Sequence, residues 1–285
     1  MDLGPVTTGP VPPLLTALVD DAGLFPPTRL AMGDALARHR ADRAAGSPML
    51  THRFLCPASR VAELLRELGT GHSIEVGVIA DTGPGGIPGV LAAMASDGRA
   101  AVRSVDVAVG SADDLAAGLA AVRALPQGVD GWVEPARRGD WLAVLPQVRA
   151  AGSAVGAKLR CGGADAAAFP TADEVASFVL RCVEHGVRFK ATAGLHRAVR
   201  GLDAGDGYVH HGYLNLLIGT ARAIGGEPEK AVLAAIASTD AQALVAEAKG
   251  IPDDAVAATR AAMVSYGSCS TAEPLAEASA LGLLG

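Results

Sequence analysis

Two lysines carry the most telling chemistry in this chain. Lys158 and Lys190 each follow a short apolar segment, AKLRCGG and GVRFKATAGLH, with a helical run from Thr171 to His185 between them. The other two lysines, Lys230 and Lys249, lie in later Ala-rich stretches, and elsewhere arginine supplies the positive charge. A buried lysine can lose its proton and attack a carbonyl, which arginine cannot do. Two lysines at successive strand ends therefore point to Schiff-base chemistry. Two lysines and several carboxylates converging on one rim would hold a lysine close to other charges, which is how its pKa is lowered; Lys190 and Arg160 are the cations nearest Lys158. The competing reading is a buried ion network in which both lysines only pair with Asp106 and Glu134.

The elements that must position these groups repeat one pattern: short apolar strand, turn, Ala/Leu-rich helix. Strands are expected at 14–19, 49–56, 74–80, 104–109, 131–134, 154–158, 187–191 and 262–266. Helices are expected at 28–45, 59–68, up to about 96, at 112–124, 141–150 and 171–185. Eight alternating units predict a parallel sheet closed as a (β/α)8 TIM barrel, with an open doubly wound sheet as the alternative. The rhythm breaks between Lys190 and Tyr266. Helices at 208–224, 228–236 and 241–249 predict an enlarged helical insertion between strands 7 and 8, at about 196–260 of a single domain. In such barrels active groups sit at the C-terminal strand ends. Those ends carry Asp20, Cys56, Asp81, Asp106, Glu134, Lys158 with Arg160, Lys190 with Thr192, and Ser268 with Ser270.

Composition narrows the partners. The chain has 285 residues, half of them hydrophobic, a net charge of -6 and a mean hydropathy of +0.31. No basic stripe suggests nucleic acid, and no run approaches the roughly 20 apolar residues of a membrane span. The stretch MDLGPVTTGPVPP lacks the form of a secretion signal. The four cysteines show neither CxxC spacing nor disulfide density, which predicts a reduced, cytoplasmic protein with cysteines as small buried hydrophobes. His210 and His211, read as adjacent on a helix, would point about 100° apart, which argues against a shared metal. The loop Asp81–Gly86 lacks the signature of a phosphate loop and reads as a plain turn.

Several segments resemble the deoxyribose-phosphate aldolase family, class I aldolases built on (β/α)8 barrels. SVDVAV at 104–109 is similar to the strand with the proton-relay aspartate, which falls on Asp106. WVEP at 132–135 resembles the following strand, with Glu134. Lys158, in KLRCG, falls at the Schiff-base lysine, and FKATAGL at 189–195 puts the second lysine at Lys190. YGSCS at 266–270 resembles the final phosphate-holding turn, which implicates Gly267, Ser268 and Ser270. LVD places Asp20 on the first strand, and Cys56 falls where the family has a cysteine near its pocket. Ala193-Gly194 replaces a glycine pair, His196 is the following basic residue, and Arg160 replaces a small hydroxyl residue. The segment 196–251 has no counterpart. AGLFPP and FKATAGLH are also similar to segments of a separate bacterial branch of such barrels. The resemblance implies a cofactor-independent and metal-free carbon–carbon lyase. Its catalytic residues would be Lys158, Lys190, Asp106 and Glu134. Asp20, Cys56, Arg160, Thr192, Gly194, His196, Gly267, Ser268 and Ser270 would line the substrate site. The expected partner is a small carbonyl compound, phosphorylated or carboxylated, with no nucleic acid or membrane and with homo-oligomerisation left open. A dehydratase or isomerase using the same imine, and a non-catalytic barrel that binds a ligand or partner, are the alternatives.

Overall fold

A computed structural model describes residues 11–284; part of the stretch read as lacking a secretion signal lies outside them. Eight strands close into an all-parallel barrel: β1 (Val19–Asp21), β2 (Leu50–Pro57), β3 (Ile74–Ile79), β4 (Ala100–Val109), β5 (Asp130–Pro135), β6 (Val155–Arg160), β7 (Phe189–Thr192) and β10 (Met263–Ser268). Neighbours in the barrel follow chain order, with β10 closing the ring between β7 and β1. The predicted TIM barrel is present. β8 (Gly201–Leu202) and β9 (Val209–His210) form a separate antiparallel hairpin.

The helices α1 (Met32–Ala45), α2 (Val61–Glu67), α3 (Ile87–Asp97), α4 (Ala112–Arg123), α5 (Leu145–Ala150) and α6 (Ala172–Glu184) alternate with the first strands. Each covers the apolar outer face of a sheet that alone would meet water. α6 has the clearest start signal. Thr171 accepts from the Glu174 N–H, and the Glu174 carboxylate accepts from the Thr171 N–H. This reciprocal cap satisfies two otherwise orphaned donors and fixes where the helix begins after β6. Its buried Val175, Phe178, Val179 and Cys182 recur at helical spacing.

The insertion between the seventh and eighth barrel strands comprises the hairpin and four helices: α7 (Tyr213–Ile224), α8 (Glu229–Ala237), α9 (Ala241–Gly250) and α10 (Asp253–Ala262). α7 packs against α6, α8, α9 and α10, so Tyr213 to Thr220 are buried on every face. The helices therefore form an outer wall, and only the hairpin stands over the barrel mouth. A final helix, α11 (Ala272–Ala280), follows β10.

Four expectations need correction. The first strand begins at Val19, because Pro12 and Pro13 start a 3-10 turn over Pro13–Leu15 that occupies the stretch read as strand. The first helix begins at Met32, because Arg29 has a left-handed backbone (φ +48), the Leu30 N–H is taken by the Gly23 carbonyl and Ala31 is extended. The helix expected from 208 begins at Tyr213; His210 lies on β9 and His211 in the following turn, so neither is helical. α10 and α11 were not anticipated. No helix among the described residues is long and apolar enough to cross a membrane.

Candidate active site

The strands bring five charged groups together inside the barrel. β6 and β7 pair in register with Lys158 opposite Lys190. β4 pairs with β5 so that Ala108 stands opposite Glu134, which places Asp106 one inward-facing step deeper. Lys158 Nζ lies 2.9 Å from Asp106 Oδ2 and 3.0 Å from Glu134 Oε2. Lys190 Nζ lies 3.0 Å from Asp20 Oδ2 and 3.4 Å from Asp106 Oδ2. The contacts of Lys190 and Asp106 are ion pairs by distance, while their angles fall outside hydrogen-bond geometry. The indole of Trp132 adds a cation–π contact, with Lys190 Nζ 6.0 Å from the ring centroid.

Arginines and hydroxyls complete the pairing. Arg160 Nε donates to Glu134 Oε1 at 2.6 Å, and Arg53 approaches Asp20 at 3.6 Å. Thr51 and Ser265 both donate to Asp20, at 2.8 and 2.9 Å. Isolating any of these charges from water would cost several kcal/mol, so together they must be compensated.

The electrostatics differ from the sequence expectation in sign. Burial acts to lower the Lys158 pKa, but the carboxylates of Asp106 and Glu134 outweigh it and hold the amine above its ordinary value of 10.5. Lys190 was expected to acidify Lys158; its charge is instead countered by Asp20 and Asp106. The carboxylates respond in the opposite direction. Burial would raise Asp20, and Lys190 with Arg53 brings it down to about 2. Burial would likewise raise Glu134, and Lys158 with Arg160 brings it down to about 2.

A cavity of about 1060 Å³ opens above this cluster at the C-terminal ends of the strands. Of the expected site residues, Lys158, Arg160, Thr192, Gly194, His196 and Gly267 border it. Lys190, Asp106, Glu134 and Asp20 lie beneath, within 9% exposure or less. They shape the charge below Lys158 and do not form the cavity wall.

Cys56 is a correction. Its thiol is fully buried in the hydrophobic core and donates to the Pro57 carbonyl at 3.4 Å, away from the cavity wall. Burial pushes this thiol up to about 12, which leaves it inert. Ser268 and Ser270 are also outside the wall. The Ser268 hydroxyl donates to the Ser270 carbonyl, and Ser270 Oγ accepts from the Glu273 N–H. They fix the turn into α11. Asp81, another strand-end carboxylate, sits outside and accepts from the Ser59 N–H.

Sequence reasoning missed much of the wall. The loop after β1 contributes Phe25, Thr28 and Arg29, and the hairpin contributes Asp206 and His210. Phe169 packs against the hairpin, its ring tilted towards Tyr208 and His210 at centroid distances of 4.8 and 5.0 Å. The motif AGLFPP was the available signal, since it follows the first strand and must lie at the mouth. The hairpin residues had none: His210 fell in the helix expected from 208, and Asp206 in the preceding stretch, for which no element was expected. Among the described residues, no cluster of three His, Cys, Asp or Glu is arranged to hold a metal ion.

The fold and the cluster define a (β/α)8 barrel with a paired-charge centre at the mouth, and one lysine facing a cavity. No protein-family model matches the chain, and neither a curated protein nor a solved structure matches it.

Proposed function

We propose that the protein is a Schiff-base-forming lyase in which Lys158 attacks a small aldehyde or ketone. One observation carries the reading: of two buried lysines in the same cluster, Lys158 is the one that borders the cavity. A purely structural ion pair has no need to face a cavity of this size. Asp106 and Glu134, 2.9 and 3.0 Å from the amine, favour its protonated form, so the attacking amine is the fraction that has given its proton to solvent. The neutral amine then adds to the carbonyl carbon, a proton from solvent goes to the carbinolamine hydroxyl, and its departure as water leaves an iminium ion. That cation accepts the electron pair when an adjacent carbon–carbon bond breaks, so the chemistry needs no cofactor. Arg160, half-exposed at the cavity, offers its guanidinium to a carboxylate or phosphate on the substrate. Four free cysteines fit a reducing, cytoplasmic setting.

A second reading has its own observation. The ion pairs neutralise both lysines, as expected of a barrel that keeps them as structural charges and only binds a ligand. Borohydride with a panel of small aldehydes separates the two. The lyase reading expects added mass on the peptide containing Lys158 and none in Lys158→Met. Absence of any adduct at alkaline pH favours the binding role. Product analysis then distinguishes carbon–carbon cleavage from dehydration or isomerisation.

A further inference from the structure

The wall of the same cavity holds a second potential nucleophile that the lysine chemistry does not use. Cys269 follows β10 and His196 follows β7, and both border the cavity. The Cys269 sulfur lies 3.6 Å from His196 Nε2 and 3.8 Å from Nδ1. His196 Nδ1 in turn lies 3.5 Å from Glu273 Oε2 and 3.2 Å from Ser268 Oγ. Thiol and imidazole thus stand as nucleophile and base, with Ser268 hydrogen-bonded to the ring and the Glu273 carboxylate paired with it by distance. The parts come from three separate elements, the β7 loop, the β10 turn and α11, so no local sequence motif announces them.

We propose that Cys269, activated by His196 and oriented through Glu273, is a covalent capture site for aldehydes entering this cavity. The sulfur adds to the carbonyl carbon. A C–S bond forms, the C=O π bond breaks, and the thiol proton passes through the His196 ring to the carbonyl oxygen. The product is a thiohemiacetal, reached reversibly and with no oxidant or reductant. The proposal stands on the His196–Cys269 geometry and does not need Lys158 to form an imine.

The surroundings favour this assignment. Burial would raise the Cys269 thiol, but His196 and Thr28 outweigh it and bring it below its usual range. Burial would lower His196, but Cys269, Glu273 and Asp203 outweigh it and raise it. The pair therefore leans towards thiolate and imidazolium. The Arg38 guanidinium, from α1, donates to the Cys269 carbonyl at 2.8 Å and holds the turn in place. The other three cysteines lack such partners: burial pushes Cys56 and Cys161 up to about 12, and Cys182 well above its usual value.

The test uses the full-length reduced protein, iodoacetamide and mass spectrometry of each cysteine peptide between about pH 5.5 and 9. Cys269 should alkylate faster than Cys56, Cys161 and Cys182 at every pH. Its rate near pH 6 should fall at least about tenfold in His196→Asn, where the thiolate loses its counter-ion. Glu273→Gln should give a smaller loss. Glycolaldehyde should slow alkylation of Cys269 reversibly, in the native protein and equally in Lys158→Met. Circular dichroism checks that each variant folds, with His196→Gln as the second choice. If neither His196 variant folds, the cysteine ranking and the aldehyde protection decide alone. Equal rates at all four cysteines, or an unchanged rate in a folded His196 variant, would overturn the proposal, as would no protection by aldehyde. Protection at Cys269 without borohydride adducts at Lys158 would count against the lysine reading only.

Discussion

Lys158 and Lys190 stand opposite each other on paired strands and approach the same oxygen, Asp106 Oδ2, at 2.9 and 3.4 Å. That oxygen sits between two cations, each of which has one further carboxylate of its own: Glu134 for Lys158 and Asp20 for Lys190. The cluster is a chain of alternating charge, and Asp106 is its central link. Removing the link exposes the repulsion between the amines, whereas removing an end leaves both amines paired with Asp106.

Asp106→Asn should therefore cost stability as well as any activity. Asp106 is 2% exposed and serves two ion pairs. Breaking a buried pair from one side leaves an uncompensated charge, at about 3–5 kcal/mol. Urea denaturation should show a loss of this size, and Asp106→Asn combined with Lys190→Met should recover part of it. An Asp106→Asn protein as stable as the native one would show that the oxygen is not shared.

The pH profile of borohydride trapping follows from the raised Lys158 pKa. Only the neutral amine attacks, so trapping should climb with pH through neutrality and beyond the ordinary lysine value. Glu134→Gln removes one of the two carboxylates that hold the proton on Lys158. An opposite charge at this distance shifts a pKa by about 1–3 units, so the trapping curve should move down in pH by at least about one unit. A curve unmoved by Glu134→Gln would mean that Asp106 alone controls the amine.

The barrel was legible because its strands are continuous apolar runs separated by Ala-rich helical segments. The lysine pair was legible because these chemically distinctive residues end two successive strands. The sign of the Lys158 shift was not, because it depends on which carboxylates lie within 3 Å, and Asp20 comes from the far end of the chain. The partnership of Cys269 with His196 spans 73 residues and was equally hidden. Cys56 shows the opposite error: a strand-end position suggested the cavity, yet the side chain turned into the apolar layer. The hairpin over the mouth was missed because Tyr208 to His211 run directly into the apolar pattern of α7.

Acid should weaken the fold through Asp20 and Glu134. Their folded pKa values, both about 2, lie below the ordinary values of 3.8 and 4.5. A depressed carboxylate contributes stability that is whole above the unfolded pKa and is lost as pH falls through the folded one. The loss should run from about pH 4.5 down to about pH 2, and Asp20→Asn should shrink it to the part that Glu134 contributes. Lys158 acts at the other extreme. Its raised pKa gives a contribution that is whole below 10.5 and lost as pH rises through the folded value. Urea midpoints measured across pH would reveal both limbs, and a flat acid limb would rule out the pairing of Asp20 with Lys190.

Adjacent residues at the mouth should respond to substitution with opposite signs. Ala193 and Gly194 both have left-handed backbones, at φ +60 and φ +67. A side chain in that region costs about 1–2 kcal/mol, which Ala193 already bears and Gly194 avoids. A Cβ on Gly194 would also meet the Cys161 carbonyl oxygen at 2.9 Å, a backbone atom with little room to yield. Gly194→Ala should thus cost about 1–2 kcal/mol from the backbone alone, and more from the clash. It should also shift the wall that Gly194 shares with Lys158 and weaken substrate binding. Ala193→Gly relieves the same backbone strain, while the freer unfolded chain takes back about 0.4–1 kcal/mol. The net effect should be neutral to slightly stabilising. Urea denaturation of the two variants side by side provides the comparison, and a loss from Ala193→Gly as large as that from Gly194→Ala would show that strain does not govern this turn.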